Sequence, residues 1–376
     1  MKKTESGAAT PLIILALVAA LVLCFAMLVM EKSRNFSQNG LAGLAEGQQQ
    51  QFEWRLVTSW PKNFPGLGMG PERFAEMVNR MSDGRLQVQV FGANELVPAL
   101  GVFDAVSSGA VEMGHTAAYY HKGKIAAAPF FTAVPFGMNA QETNAWIHYG
   151  GGLELWREAY EPFNIIPFPG GNTGVQMAGW FNKEINSIED LRGLKMRIPG
   201  IAGEVFQRAG GTAVTIAGGE LYTSMQTGVI DATEWVGPFN DRAFGLPEVA
   251  QYYYYPGWHE IGPMLEFEVN RDAWNELPAD LQAIVAAASR AVNQDMLDEY
   301  TAQNAVVLAE LEQAGVDIRP LPEEVLNRLR EIADQYYLEE AERDPLFGRV
   351  HESYSNFFAK LRAWHEISEV PIYNMR

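Results

Sequence analysis

The stretch ELYTSMQTGVIDATEWVG, Glu220 to Gly237, decides the fold class. Leu221 and Met225 recur at helical spacing, Val229 continues the period, and Gly228 is placed to stop the helix. Ile230-Asp231-Ala232 then opens a short strand, and Glu234-Trp235 falls where that strand ends. Helix, stop and strand in quick succession mark an α/β chain, and open α/β sheets grip ligands at the carboxyl ends of their strands. A carboxylate beside an indole is useful there. One offers oxygen to a cation or hydroxyl, and the other packs on an apolar ligand face. Arg197, near the carboxyl end of the strand GLKMRIP (Gly193–Pro199), supplies a positive charge upstream.

The layout occurs twice. Ser108-Gly109-Ala110-Val111-Glu112 lies over Thr227-Gly228-Val229-Ile230-Asp231, each after a short helix-like run. A repeated helix–glycine–strand unit predicts two similar α/β lobes with a cleft between them. Ser/Thr-Gly before a β-branched pair is also a common helix-to-strand turn, so the repeat alone does not decide the matter.

Outward from this centre the βα rhythm continues. Phe52, Trp54, Leu56 and Thr58 alternate as in a strand, the loop Gly66–Pro71 leads to a helix from about Glu72 to Met81, and Arg85 to Phe91 alternates again. Glu112 to Tyr120 reads as a strand ending at Tyr119-Tyr120-His121, and the apolar run Ala126 to Met138 reads as a crossover into the second lobe. Glu142 to Tyr160 is helical with a break at Gly150–Gly152; Gly170–Gly174 reads as a turn before a strand carrying Gln176. Ser187–Asp190 has the form of a capping box. Pro278 to about Ala314 is one helical run closed by Gly315, long enough to span both lobes. Val316 to Arg319 is a last strand, followed by aromatic helices over Glu323–Arg343 and Pro345–Ser368. The expected organisation is lobe 1 at 52–140 plus part of 230–280, lobe 2 at 141–230 plus later segments, and C-terminal helices over 323–368.

With 376 residues, 48% of them hydrophobic, the chain has room for two lobes. A net charge of −18 argues against nucleic acid as partner and requires any anion site to carry its own local positive charge. The single cysteine, Cys24, lies in the N-terminal apolar segment, so the folded part has no disulfide and no thiol chemistry. Lys2 and Lys3 precede an apolar run from Pro11 to Met30, the polarity of an export signal. That run is long for a cleaved segment and just long enough to span a bilayer. Residues 1–30 are therefore expected to be an uncleaved anchor, with a cleaved signal peptide as the alternative. Residues 31–51, rich in small residues and ending in glutamines, are expected to be a flexible tether.

No nucleophile elbow, phosphate-binding loop, dinucleotide fingerprint or paired-cysteine motif is present. His259-Glu260 lacks the second histidine of a zinc-protease motif, and a surface or core role is expected for most of the six histidines.

The sequence resembles the periplasmic substrate-binding subunits of TRAP (tripartite ATP-independent periplasmic) transporters, from Phe52 to roughly Glu366. The residues that carry the resemblance are Gly193–Pro199, Glu220–Ala232 and the long helix from Pro278. Phe168–Gln176, Ala232–Pro238 and Tyr255–Glu260 are similar to the branch that binds 2-oxo or 2-hydroxy acids together with a metal cation. The resemblance implies an α/β, two-lobed periplasmic-binding-protein (type II-like) fold with a hinge. It implies that Arg197 pairs bidentately with the ligand carboxylate, as a planar guanidinium does well. It implies that Gln176, Glu234, the main-chain carbonyl of Trp235 and Glu260 offer oxygen to the cation. Tyr119, Tyr120 and Asn172 would line the cleft. The expected partners are a small carboxylate and the small and large TRAP membrane subunits, with a homodimer through the C-terminal helices left open. The expected location is the periplasm, tethered to the inner membrane if residues 11–30 are retained. Retention would depart from the family, whose members carry a cleaved signal peptide.

Charge supports a cation independently. If Arg197, Glu234, Glu260 and a monoanionic ligand share one cleft, one positive charge faces three negative ones, which is costly in a buried site. Oxygen donors suit hard ions, so Na⁺ or Ca²⁺ is expected, with no organic cofactor. A protonated or solvent-facing glutamate is the alternative. Replacing Arg197 with alanine is expected to abolish binding and spare the fold. The expected function is capture of a pyruvate- or lactate-like acid for transport, not catalysis. The alternatives are a membrane-anchored sensing module and a metal-dependent enzyme acting on keto acids.

Overall fold

The computed structural model describes Met27, Met30 and residues 50–376. The expected anchor and tether therefore lie almost wholly outside the described residues. Residues 52–376 form one compact unit, distinct from 1–51. Among the described residues no helix is long and apolar enough to cross a membrane.

Two sheets organise the 52–376 unit. The first contains β1 (Phe52–Thr58), β2 (Leu86–Phe91), β3 (Met113–Thr116), β4 (Ile165–Asn172) and β10 (Met264–Asn270), in the order β2-β1-β3-β10-β4. The second contains β5 (Gly179–Phe181), β6 (Lys195–Arg197), β7 (Thr212–Val214), β8 (Ala232–Thr233), β9 (Tyr252–Tyr255) and β11 (Asp317–Pro320), in the order β11-β9-β5-β8-β6-β7. In each, three parallel strands (β2-β1-β3 and β7-β6-β8) meet an antiparallel fourth, β10 or β5.

The sequence repeat is a structural repeat, down to individual atoms. Gly109 and Gly228 both close short helices with left-handed backbone, at φ of 73° and 70°. The Glu112 carboxylate accepts from the Arg55 amide at 2.8 Å, and the Asp231 carboxylate accepts from the Lys195 amide at 3.0 Å. The carbonyls of the same two residues accept from Asn270 and Asn182, each at 2.9 Å. Each acid thus pins the central parallel strand of its own sheet to the antiparallel one.

The helix Ala279–Gln313 buries Leu281, Val285, Ala288, Val292, Met296, Tyr300, Val307 and Leu311, a stripe at helical spacing. Its first half packs with Phe74, Val88 and Phe267 on the first sheet. Its second half joins Trp180, Leu246 and Tyr253 of the second. At 1.5 Å per residue it is about 50 Å long, and it spans both sheets. The helices Glu323–Arg343 and Pro345–His365 bury Tyr336, Tyr337 and Tyr354 in the main core. A final helix, Glu369–Met375, leaves Ile372, Tyr373 and Met375 exposed.

Several expectations need correction. The helix expected from Glu72 begins at Met69, running through Gly70. Tyr119 and Tyr120 sit not on a strand but on a single 3₁₀ turn, Ala118–His121, after β3 stops at Thr116. Val229 is exposed. Gly170 and Gly171 are not a turn: β4 runs through them to Asn172, and Gln176 follows in a loop. The glycines answer to close approach. A Cβ on Gly171 would lie 2.4 Å from Met296 Sδ, and one on Gly170 would lie 2.8 Å from the Glu266 backbone. Because β4 belongs to the first sheet, the chain changes sheets after Asn172 rather than near residue 140. Two loops (173–178 and 256–263) and the long helix make the passages between sheets. The two loops bond to each other: Gln176 N donates to Glu260 O at 3.2 Å, and Gly257 N donates to Gln176 O at 3.0 Å.

Candidate functional site

Arg197 ends β6 and is fully buried. Its Nε donates to Ile216 O at 3.1 Å, its Nη2 to the Tyr120 hydroxyl at 2.9 Å, and its Nη1 to Glu234 Oε1. An arginine has five N–H groups, so one hydrogen on each Nη is left for a further acceptor. Glu234 follows β8, the strand beside β6, and its amide donates to Arg197 O at 3.2 Å. The strand order thus places the two side chains together. The Trp235 indole lies 5.2 Å from the guanidinium carbon, in cation–π range, and rests where Gly218 has no Cβ to obstruct it.

The interlobe loops bring the remaining groups. Gln176 comes from the first loop, and His259 and Glu260 come from the second; all three are buried. Glu234, His259 and Glu260 each offer a ligand atom within 4.8 Å of the others. Six polar atoms here lack a hydrogen-bond partner: Gln176 Oε1, Glu234 Oε2, Glu260 Oε2, Trp235 Nε1 and both ring nitrogens of His259. Buried polar atoms are almost always partnered, so three orphaned oxygens in one part of the site signal a missing positive centre. Burial, and then the charge of Glu234, push the Glu260 carboxyl well above its ordinary range.

Tyr119 and Tyr120 reach the site from the first lobe, their rings edge to face at 4.7 Å, both phenols pushed up by burial. They also line a cavity of about 210 Å³ with Ile198, Gly200 and Thr215. Asn172 sits nearby, with both ends of its amide engaged by main chain: Oδ1 accepts from Gly174 N at 2.8 Å, and Nδ2 donates to Gly262 O at 3.1 Å. It therefore pins one interlobe loop to the other.

Sequence reasoning missed two residues here. His259 was assigned no role, yet it stands among the carboxylates, with Nε2 3.6 Å from Glu234 Oε2. Its adjacency to Glu260 was the only signal available. Trp60 packs against Trp235 and Tyr120, with ring centres 6.1 and 6.3 Å apart, and forms an apolar wall from the first lobe. Its Nε1 donates to His115 Nδ1 at 2.8 Å, so the His115 hydrogen sits on Nε2 and goes to Gly170 O at 2.9 Å. Burial holds His115 down at about 4, the Gly170 bond opposing it.

Comparison with known proteins agrees with this geometry. Residues 56–344 match the family described as DctP, bacterial extracellular solute-binding protein, family 7. A monocarboxylate 2-oxoacid-binding periplasmic protein of Nostoc sp. is 45% identical over 321 residues, 85% of this chain and 88% of that protein. A TRAP periplasmic solute-binding protein from Colwellia psychrerythraea, solved with calcium and pyruvate, superposes with a TM-score of 0.85 at 44% identity, covering 87% of this chain and all of that one. One from Pseudoalteromonas atlantica, solved with sodium and pyruvate, gives 0.85 at 45% identity, covering 86% and 99%. With its two-sheet architecture, a cleft built on strand ends and this extent of likeness, the chain belongs to the family 7 bacterial extracellular solute-binding proteins, the periplasmic receptors of TRAP transporters.

Proposed function

We propose that the protein captures a small 2-oxo or 2-hydroxy monocarboxylate, of pyruvate or lactate size, together with Ca²⁺ or Na⁺, and delivers it to the small and large membrane subunits of a TRAP transporter. The observation that carries this is the set of orphaned oxygens on Gln176, Glu234 and Glu260, next to an arginine with two hydrogens to spare. The related proteins solved with pyruvate and calcium or sodium support the ligand class.

The two free Nη hydrogens of Arg197 form a fork onto the ligand carboxylate, and Tyr120 holds the guanidinium from behind. Gln176 Oε1, Glu234 Oε2, Glu260 Oε2 and the Trp235 carbonyl are the cation donors. Oxygen donors of this kind suit a hard ion, and an imidazole does not. His259 Nε2 stands 3.6 Å from Glu234 Oε2, beyond hydrogen-bond reach, so His259 lies beside the cation donors and is not one of them. Trp60 and Trp235 flank the ligand's carbon chain. Asn172 shapes the site by tying the loops. The exposed Ile372, Tyr373 and Met375 on the last helix are the surface a second copy of the chain would cover.

Isothermal titration with pyruvate in Ca²⁺, in Na⁺ and after chelation tests the proposal. Binding that vanishes on chelation and returns with either ion is expected, and Glu260→Gln should raise the ion concentration needed. Pyruvate binding indifferent to ions would remove the cation and its four donors. No binding of any 2-oxo or 2-hydroxy acid would overturn the ligand class.

A further inference from the structure

A second buried cluster lies within the first sheet. Phe267 and Val269 of β10 face the core shared with Phe74 and the long helix. Side chains alternate along a strand, so Glu266 and Glu268 face the opposite side, toward the helices Val102–Ser107 and Gly152–Tyr160. Both glutamates are fully buried. Gly114 on β3 makes room for one of them; a Cβ there would lie 3.3 Å from Glu268 Oε2. His121 completes the group. Its Nε2 is 3.0 Å from Glu268 Oε1 and 3.2 Å from Glu266 Oε1. The Phe103 ring packs on the imidazole at 4.3 Å, and the Tyr160 hydroxyl donates to Glu266 Oε1 at 3.2 Å. Glu266 Oε2, both oxygens of Glu268 and His121 Nε2 make no hydrogen bond, so the imidazole meets the two carboxylates in ion-pair contact.

Two carboxylates against one imidazolium leave one uncompensated negative charge away from water, which is costly. A second proton shared between the carboxylates removes the imbalance. Burial and the charge of Glu266 push Glu268 up to about 8. Burial pulls His121 down, but the two carboxylates outweigh it and hold it at about 9. Among the described residues, the other titratable groups around the cluster are Tyr160 and Lys124. Tyr160 is itself pushed up by burial. Lys124 sits 5.6 Å over the Phe103 ring and pairs with exposed Asp104.

The cluster matters because of where His121 sits. It ends the single turn Ala118–His121 that carries Tyr119 and Tyr120, and Tyr120 accepts from Arg197. We propose that His121, Glu266 and Glu268 are positioning residues for ligand capture: a proton-sharing triad that anchors the Tyr119–Tyr120 turn behind Arg197. This rests on Arg197 holding the ligand carboxylate. When the shared proton leaves, the triad regains a buried negative charge, its packing relaxes, and Tyr120 loses its place on the guanidinium.

Glutamine is a good mimic of a protonated glutamate, which makes Glu268→Gln the informative variant. Pyruvate affinity in saturating Ca²⁺ is measured from pH 6.5 to 9 for wild type, Glu268→Gln and His121→Phe. Wild-type affinity is expected to fall about tenfold between pH 7.5 and 9, as one pKa unit would give. Glu268→Gln should match wild type at pH 7 and stay within about threefold across the range. Titration of Glu260 favours the cation as pH rises, an opposite trend common to both proteins, so their difference reports the triad. His121→Phe keeps the packing against Phe103 but removes the charge, and should already bind more weakly at pH 7. A Glu268→Gln profile that follows wild type overturns the proposal. So does a transition metal present in wild type and absent from Glu268→Gln, which would assign the cluster to a cation. If wild type binds no pyruvate at all, the ligand assignment has failed instead. The ligand-free melting profile then decides the proton. A carboxyl raised by folding loses stability as pH climbs from its unfolded to its folded value, so wild type should soften faster than Glu268→Gln between pH 6 and 8.

Discussion

Arg197→Lys separates charge from geometry. The wild-type guanidinium donates to Ile216 O, Tyr120 and Glu234, and the two remaining hydrogens serve the ligand. A lysine brings three donors to a site with five acceptors. In a fully buried site no water makes up the difference. Two hydrogen bonds to charged groups are lost, at roughly 1.5–3 kcal/mol each, or about 3–6 kcal/mol together. At 1.4 kcal/mol per tenfold, pyruvate affinity should fall by at least about 100-fold. The charge facing Glu234 is retained, so the melting temperature should move little. The assay is calorimetric titration with pyruvate in saturating Ca²⁺, with a thermal melt of each ligand-free protein. A loss below tenfold with an unchanged melt would show that the carboxylate is held elsewhere. Arg197→Ala is the wrong variant for this purpose. Because Arg197 and Glu234 are a fully buried pair, removing one partner strands the other at a cost of about 3–5 kcal/mol. The alanine variant is therefore expected to lose stability as well as binding.

Two further outcomes follow. His115 is held neutral at about 4 by burial, against about 6.5 when unfolded. As pH falls from 6.5 toward 4 the unfolded chain gains a proton that the fold refuses, so stability should decline by up to about 3 kcal/mol. Melts of wild type and His115→Gln across that range should differ in slope, and parallel curves would refute the assignment. Gly257→Ala places a Cβ 2.2 Å from the Gln176 carbonyl oxygen, where the two interlobe loops touch. It should cost about 1–3 kcal/mol of stability and weaken Ca²⁺ binding, whereas Gly219→Ala, with open space around it, should do neither. Thermal melts and Ca²⁺ titrations read both.

What could be read from the sequence was what local chemistry encodes. The helix Leu221–Gln226, the left-handed stop at Gly228 and the strand end before Glu234 depend on neighbours in the chain, and they formed where expected. The same holds for the helix after Pro278, whose period and closing glycine are local, and for Arg197 at the end of β6. Misreadings occurred where a distant group decides. Gly170 and Gly171 read as a turn because glycine permits one. Their actual reason is Met296 and the Glu266 backbone, remote in sequence and pressed against them. That misreading put Gln176 on a strand, and taking the apolar run Ala126–Met138 for a crossover placed the lobe boundary too early. His259 and Trp60 were passed over because nothing near them in the chain tells of Glu234 or Trp235. Glu266 and Glu268 drew no reading from the sequence, and only the packing of His121, Phe103 and Tyr160 shows their face of the strand to be interior.

The two loops that join the sheets have a kinetic meaning. Gln176 and Glu260 belong to the passages themselves, which are bonded to each other, and not to the facing surfaces of the cleft. On the proposed reading two of the four cation donors are carried on a hinge and stay together whether the jaws are apart or shut. The ion would then settle first, and the acid would arrive at a seat already charged for it. Such a receptor would load in a compulsory order. Raising the acid concentration cannot replace missing ion, and once the ion is saturating the capture rate depends on the acid alone. The supply of the ion around the cell, rather than the hunger of the transporter, then sets the floor below which the acid goes uncollected.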